Sequence, residues 1–156
     1  MVFLFCSYFC STGVVKSENH PDPYPQAMDN TYTITMEPGM TILLKFTAFN
    51  IWYDFACYSD YLTITDGDGT TLMGRSCGPD RNGSFFIEDA SHLVPFVGFY
   101  GARGVIGALP ANITSKTNVV KLYFKTKDSF SGNSGWSVSY EAIPQPSECQ
   151  QYGWFG

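Results

Sequence analysis

Apolar and polar residues alternate along much of the chain, with a period of two. The stretch TILLKFTAFN at 41–50 places one set of alternate residues on one face and the other set on the opposite face; the sets are Ile42, Leu44, Phe46 and Ala48, and Leu43, Lys45, Thr47 and Phe49. Successive side chains of a β-strand point to opposite faces of a sheet, so this alternation predicts a strand with one buried face.

The same alternation recurs in shorter segments separated by turn residues. YLTIT at 61–65 alternates, and DGDG at 66–69 then turns the chain into TTLMGRSC at 70–77, which predicts a hairpin. Further strands are predicted at 31–36, 119–125 and 136–142, and no window shows a convincing helical period. The pattern predicts an all-β protein built as an antiparallel β-sandwich.

Three stretches depart from the alternating pattern. Residues 79–108 form a long irregular insert, which we interpret as a loop within a domain spanning 14–142. Residues 1–13 are apolar but carry no basic start, so they fit a remnant of a secretory signal peptide or, alternatively, a hydrophobic first strand. Residues 143–156 contain two prolines and are interpreted as a linker or the start of a further segment.

The length and the net charge of the chain indicate a single globular domain and disfavour two kinds of partner. A length of 156 residues with 44% hydrophobic residues suits one domain with its own core. The formal net charge is -5 and the nine Lys and Arg residues form no basic stripe, so neither nucleic acid nor an acidic membrane surface is an expected partner. No uninterrupted apolar run reaches the roughly 18 residues of a membrane span.

Cysteines and sequons indicate a secreted or extracellular chain. There is no C-x-x-C pair and only two histidines are present, which disfavours zinc and favours disulfide bonds. The sequons beginning at Asn82 and Asn112 predict N-glycosylation. The five cysteines are Cys6, Cys10, Cys57, Cys77 and Cys149.

Several motifs, taken in order, resemble those of the CUB domain family. They are VVKSENHPDPYPQ (14–26), TYTITMEPGMTILLKFTAFNI (31–51), CYSDYLTITDG (57–67), LMGRSCG (72–78) and SKTNVVKLYFKTKDSFSGNSGWSVSYEA (115–142). The resemblance implies a jelly-roll-like extracellular sandwich, and it maps one family disulfide onto Cys57 and Cys77.

The resemblance also implies a function in binding in place of catalysis. We expect a non-catalytic module that mediates protein–protein interaction within a larger secreted or membrane-attached protein, where it can serve as an accessory domain of an extracellular protease. The alternative is a stand-alone structural or glycan-binding protein of the spermadhesin kind. No G-x-S-x-G elbow or Cys–His pair supports an enzyme.

Many CUB domains bind calcium at one end of the sandwich through a Glu and two Asp residues. Asp60 matches the second of these acids, whereas Trp52 stands at the Glu position and Lys127 at the third, with Asp128 one residue further on. The resemblance therefore implies a degraded calcium site at Asp60 and Asp128, for which Asp54 is the nearest further carboxylate. Alternatively, Asp60 caps the turn after Cys57 by accepting backbone N–H groups.

Aromatic residues cluster in sequence beside these acids. Trp52, Tyr53 and Tyr58 are candidate contacts for a ligand, because rings on loops are common in binding hot spots. Core packing is the competing explanation for some of them.

Overall fold

The structure, a computed structural model, consists of two antiparallel sheets and describes residues 11–81, 83, 85–88, 97–98 and 109–145. The four-stranded sheet has the order β1-β10-β3-β8 and the six-stranded sheet the order β2-β9-β4-β5-β6-β7. A single 3-10 turn, η1, spans Phe55–Cys57 in the described chain. The strands are β1 (Thr12–Lys16), β2 (Asp29–Thr35), β3 (Met40–Asn50), β4 (Tyr61–Asp66), β5 (Thr71–Cys77), β6 (Phe86–Glu88), β7 (Val97–Gly98), β8 (Ile113–Thr114), β9 (Val119–Lys125) and β10 (Gly135–Pro144). The predicted all-β antiparallel sandwich is confirmed.

The core lies between the inner faces of the two sheets. Trp136 of β10 is fully buried and packs edge-on against Tyr32 of β2, with ring centroids 5.1 Å apart, and against Phe124 of β9 at 6.0 Å. Such perpendicular ring pairs contribute about 0.5–1.5 kcal/mol beyond the area they bury. Trp136 belongs to the four-stranded sheet and both of these partners to the six-stranded sheet, so the ring contacts hold the two layers face to face.

A β-bulge in β3 changes which residues face the core. Phe46 pairs with Val138 and Ala48 with Ser137, so Thr47 is an extra residue on β3. Beyond it Phe49 is buried and Ala48 is partly exposed, the reverse of the predicted order of faces. The prediction was correct up to Phe46 and wrong after it, because one inserted residue shifts a period of two to the opposite face.

The predicted insert at 79–108 contains strand structure where the chain is described. Phe86 of β6 pairs with Cys77 of β5, and β6 pairs in turn with β7. Phe85 and Phe86 are both buried, and the ring of Phe85 lies 5.6 Å from that of Phe49. This part of the insert therefore belongs to the core, and a three-residue strand is too short to show an alternation in sequence.

Both predicted domain boundaries fall within observed strands. β1 begins at Thr12, inside the stretch interpreted as a signal remnant, and pairs with β10. β10 continues to Pro144, which pairs with Met40, so its last two residues lie in the stretch interpreted as a linker. Among the described residues no helix is long and apolar enough to cross a membrane.

Candidate functional site

Three connections lie together at one end of the sandwich, and we call them the loop end. They are the segments 17–28, 51–60 and 126–134. Strand register brings them together, because Lys125 at the end of β9 pairs with the first residues of β2 and β4, and Asn50 at the end of β3 pairs with Gly135. The side chains of Asn133 and Asn50 are also hydrogen-bonded at 2.7 Å.

Asp60 connects all three segments of the loop end. Its carboxylate is fully buried, and its Oδ2 atom accepts a hydrogen bond of 2.6 Å from the Tyr24 hydroxyl. Its Oδ1 atom accepts one of 2.8 Å from the backbone N–H of Lys127. The Tyr24 oxygen in turn accepts a 3.0 Å bond from the backbone N–H of Trp52. Burial, followed by the bond to Asp60, raises the pKa of Tyr24 far above its ordinary value, so the hydroxyl remains a donor.

Asp60 does not cap its own turn, contrary to one of the two sequence interpretations. The backbone N–H that it accepts belongs to Lys127, 67 residues away in the chain. Its neighbour Asp54 stabilises the turn instead, because Asp54 Oδ2 accepts a 3.1 Å bond from the backbone N–H of Ser59. The other oxygen of Asp54, Oδ1, is buried and has no hydrogen-bond partner among the described residues.

Trp52 and Lys127 contact each other across the loop end. The Lys127 ammonium nitrogen lies 3.6 Å from the centroid of the Trp52 ring, which is a cation–π contact. The family resemblance matches these two residues to positions of acids in CUB calcium sites. Trp52 and Lys127 thus form one interaction between 51–60 and 126–134, which the sequence did not predict.

The residues present do not fit a calcium site of the kind that the resemblance implied. Calcium takes six to eight oxygen ligands, of which several are carboxylate oxygens. Asp60 is the one matched acid, and both of its oxygens already accept hydrogen bonds within the protein. Asp128 is exposed, and the described residues include no group of three or more His, Cys, Asp or Glu that could hold a metal ion.

Large apolar side chains are exposed mainly at the loop end. Of the six that the structure describes as exposed, four lie in these loops: Trp52, Phe55, Tyr58 and Phe130. Phe55 is 73% exposed and Phe130 is 66% exposed. Tyr53, a predicted ligand contact, is partly buried against the core. Phe130 was missed by the sequence analysis, although a lone aromatic residue in the polar segment DSFSGNSG was a usable signal.

A disulfide fixes the base of the 51–60 segment. Cys57 in η1 is joined to Cys77 at the end of β5, and both are fully buried. This is the pair that the family resemblance implied. The remaining cysteines, Cys6, Cys10 and Cys149, lie outside the described residues.

Of the two predicted glycosylation sites, one lies among the described residues. Asn112 is exposed immediately before β8. Asn82 lies outside the described residues.

The β-sandwich fold and the Cys57–Cys77 disulfide match a known family of protein modules. The family model "CUB domain" matches residues 6–104. The chain belongs to the CUB domain family. Rat cubilin is 30% identical over 139 residues, which cover 89% of this chain and 3% of cubilin. Human tolloid-like protein 1 is 36% identical over 92 residues, which cover 51% of this chain and 9% of the relative.

A solved structure shows a related domain with a metal. The MASP-1 CUB2 domain bound to Ca2+ is 25% identical, with a TM-score of 0.53, and the match covers 83% of this chain and 90% of that domain. Calcium binding is thus a property of some CUB domains. As a member of this family, the chain is a non-catalytic binding module of the extracellular kind. It spans only a small part of the curated relatives it matches.

Proposed function

We propose that this CUB domain binds an extracellular protein through the exposed aromatic residues of the loop end. The observation that carries the proposal is the concentration of exposed apolar side chains there, at Trp52, Phe55, Tyr58 and Phe130. The other two described residues of this kind, Val14 and Leu109, lie elsewhere in the fold. Exposing large rings to water is unfavourable, so rings grouped on one end favour a contact surface.

The loops beneath these rings are well anchored, which suits a binding surface. The Cys57–Cys77 disulfide and the buried Tyr24–Asp60 pair hold the backbone from which the aromatic side chains project. Rigid aromatic side chains lose little conformational entropy when they bind, and they are enriched among the residues that dominate protein interfaces. Tyr58 in addition offers a hydroxyl group for a hydrogen bond at the edge of such an interface.

The test is a binding screen with a matched control. The full chain, secreted from eukaryotic cells, would be applied to an array of purified extracellular ectodomains and, in parallel, to a glycan array. Any hit would be re-measured with the Phe55→Ser/Tyr58→Ser/Phe130→Ser variant and with Val14→Ser, which removes an exposed apolar side chain from another surface. Trp52 is left intact because it contacts Lys127.

We expect an ectodomain whose affinity falls by about tenfold or more in the triple variant and is unchanged in Val14→Ser. A protein partner that binds the triple variant as tightly as the native chain would refute the proposal. Retention on the glycan array alone, lost in the triple variant, would instead support the spermadhesin-like alternative.

Calcium is not expected to be needed for binding of the protein ligand. Asp60 and Asp128 are the carboxylates that the family resemblance assigned to a degraded site, and a site with so few carboxylates would bind in the millimolar range or more weakly. We therefore propose that the ligand surface does not depend on the ion.

We also propose that the domain acts as part of a larger secreted or membrane-attached protein. The support is that the match covers only 3% of cubilin and 9% of tolloid-like protein 1. Sequencing the full-length transcript tests this, because an open reading frame of one domain would contradict it.

A further inference from the structure

We propose that the Lys127–Trp52 contact replaces a shared metal ion as the cross-link between two segments of the loop end, which makes this end independent of calcium. The inference deepens the proposed function, since it concerns what keeps the ligand surface ordered. It rests on the disagreement between the residues present and the calcium site that the family resemblance implied.

Trp52 and Lys127 lie on two different segments of the loop end. The family resemblance matches both to positions of acids in calcium-binding CUB domains. In the structure these two residues touch, with the ammonium nitrogen 3.6 Å from the ring centroid. A cation shared by carboxylates from 51–60 and 126–134 would join these segments, and the lysine and the indole join the same two segments without a metal.

Asp60, the one acid retained from the family pattern, is already engaged within the protein. Asp60 is fully buried, and its two oxygens accept bonds from the Tyr24 hydroxyl and from the backbone N–H of Lys127. The backbone and the side chain of Lys127 therefore both hold the 126–134 segment, the former through Asp60 and the latter through Trp52. These two hydrogen bonds already use about half of the acceptor capacity of the Asp60 carboxylate.

The charge of Lys127 opposes a metal ion at this place. The positive charge of Lys127 would repel a divalent cation brought next to Trp52, and the negative face of the indole ring already attracts the ammonium group. Charge reversal at 127 together with an acid at 52 should remove this obstacle. A calcium site should thus be recoverable in this chain by two substitutions.

The experiment measures thermal unfolding in about 1 mM calcium chloride, near the range of extracellular calcium modules, and in EDTA, with no partner protein present. The native chain should unfold at the same temperature in both, within about 1 °C, since an ion that does not bind cannot stabilise the folded state. The Trp52→Glu/Lys127→Asp variant should be stabilised by several degrees in calcium. Adding Asp60→Asn to this double variant should abolish the gain.

A second comparison isolates the cross-link. Lys127→Met keeps the apolar part of the side chain but loses the charge, so it should lower the melting temperature by about 2–4 °C in EDTA. Lys125→Met is the matched control, because Lys125 is exposed at the end of β9. This control should change the melting temperature by no more than about 1 °C.

Three results would overturn the inference. The first is a calcium-dependent rise of several degrees in the native chain that disappears in Asp60→Ala. The second is a double variant that does not respond to calcium, because Trp52 and Lys127 would then not stand at the metal-binding positions. The third is Lys127→Met as stable as Lys125→Met. None of these results depends on a protein ligand. The calcium inference can therefore fail while the proposed binding function stands, and the binding function can fail while the calcium inference stands.

Discussion

Two buried aspartates of this chain show how much a carboxylate can do without a metal. Asp60 joins segments of the loop end. At the opposite end of the sandwich, Asp66 joins its own turn to residues 116–117 through hydrogen bonds. Asp66 is 1% exposed and its Oδ2 atom accepts a 2.6 Å bond from the backbone N–H of Lys116. Its Oδ1 atom accepts bonds from the backbone N–H of Gly67 at 2.8 Å and of Thr117 at 3.2 Å. The Thr117 hydroxyl also donates to it.

The environment of Asp66 makes its charge a source of stability. Burial would raise the pKa of Asp66, but hydrogen bonds from the Thr117 hydroxyl and from three backbone N–H groups outweigh burial and hold this pKa below its ordinary value. A lowered pKa means that the stabilisation is present above the ordinary carboxyl pKa of about 4 and is lost as pH falls through the pKa of the folded protein.

We predict that Asp66→Asn lowers the free energy of unfolding by about 2–4 kcal/mol at pH 7, because an amide cannot accept at both positions. The stability of this variant should also fall less than that of the native chain between pH 5 and pH 2. Urea unfolding across this pH range is the measurement, with Asp22→Asn as control, since Asp22 is exposed. A native-like stability of Asp66→Asn would contradict the prediction.

The hydroxyl group of Tyr24 is expected to contribute to the stability of the fold. Tyr24→Phe removes the hydroxyl that donates to Asp60 and accepts from the Trp52 backbone, leaving a buried carboxylate oxygen and an N–H group each short of a partner. We expect a loss of about 2–4 kcal/mol in the free energy of unfolding. The same substitution at Tyr58, which is 68% exposed, should have little effect. Equal urea midpoints for the two variants would show that the Tyr24–Asp60 bond contributes nothing.

At the scale of elements, alternation of residues predicted the strands well where they are long and regular. The strands observed at Tyr61–Asp66 and Val119–Lys125 lie within one residue of the predicted ranges. The prediction failed where geometry depends on a partner strand. The bulge at Thr47 reverses the buried face of β3. No residue type near Thr47 indicates in the sequence that a bulge occurs there.

The partners of Asp60 could not be read from the sequence for a related reason. Its two hydrogen bonds reach residues 36 and 67 positions away. Local patterns carry no information on contacts at such separations, so the sequence indicated an acid of interest but not its role. The pairing of Cys57 with Cys77 came from the family resemblance, not from the spacing of the cysteines.

The disulfide ties the turn η1 to β5 over a sequence separation of 20 residues. We predict that Cys57→Ala/Cys77→Ala lowers the free energy of unfolding by about 3 kcal/mol, since a closed loop of this length restricts the unfolded chain. Guanidinium unfolding of native and variant chains measures the difference. Peptide mapping under non-reducing conditions should recover the two cysteines in one linked pair, and recovery of both as free thiols would rule the bond out.

At the scale of the whole molecule, the sandwich presents an anchored loop end and, on its surface, an exposed sequon. Asn112 is exposed immediately before β8, where a glycan would extend into solvent. We predict that the chain secreted from eukaryotic cells carries a glycan at Asn112. Intact mass before and after enzymatic removal of N-glycans measures this, with Asn112→Gln as the reference lacking the site. An unmodified Asn112 in the secreted protein would refute the prediction.

The order of strands has a consequence for how the chain folds. β9 lies between β2 and β4, and β10 lies between β1 and β3, so the last two long strands are central in their sheets. On a ribosome, the N-terminal strands would therefore emerge with their hydrogen-bonding edges open until residues up to Pro144 were available. Pairing between such distant segments is slow, and open edges invite aggregation. Efficient production of this domain should thus depend on chaperones that shield its nascent strands in the secretory pathway.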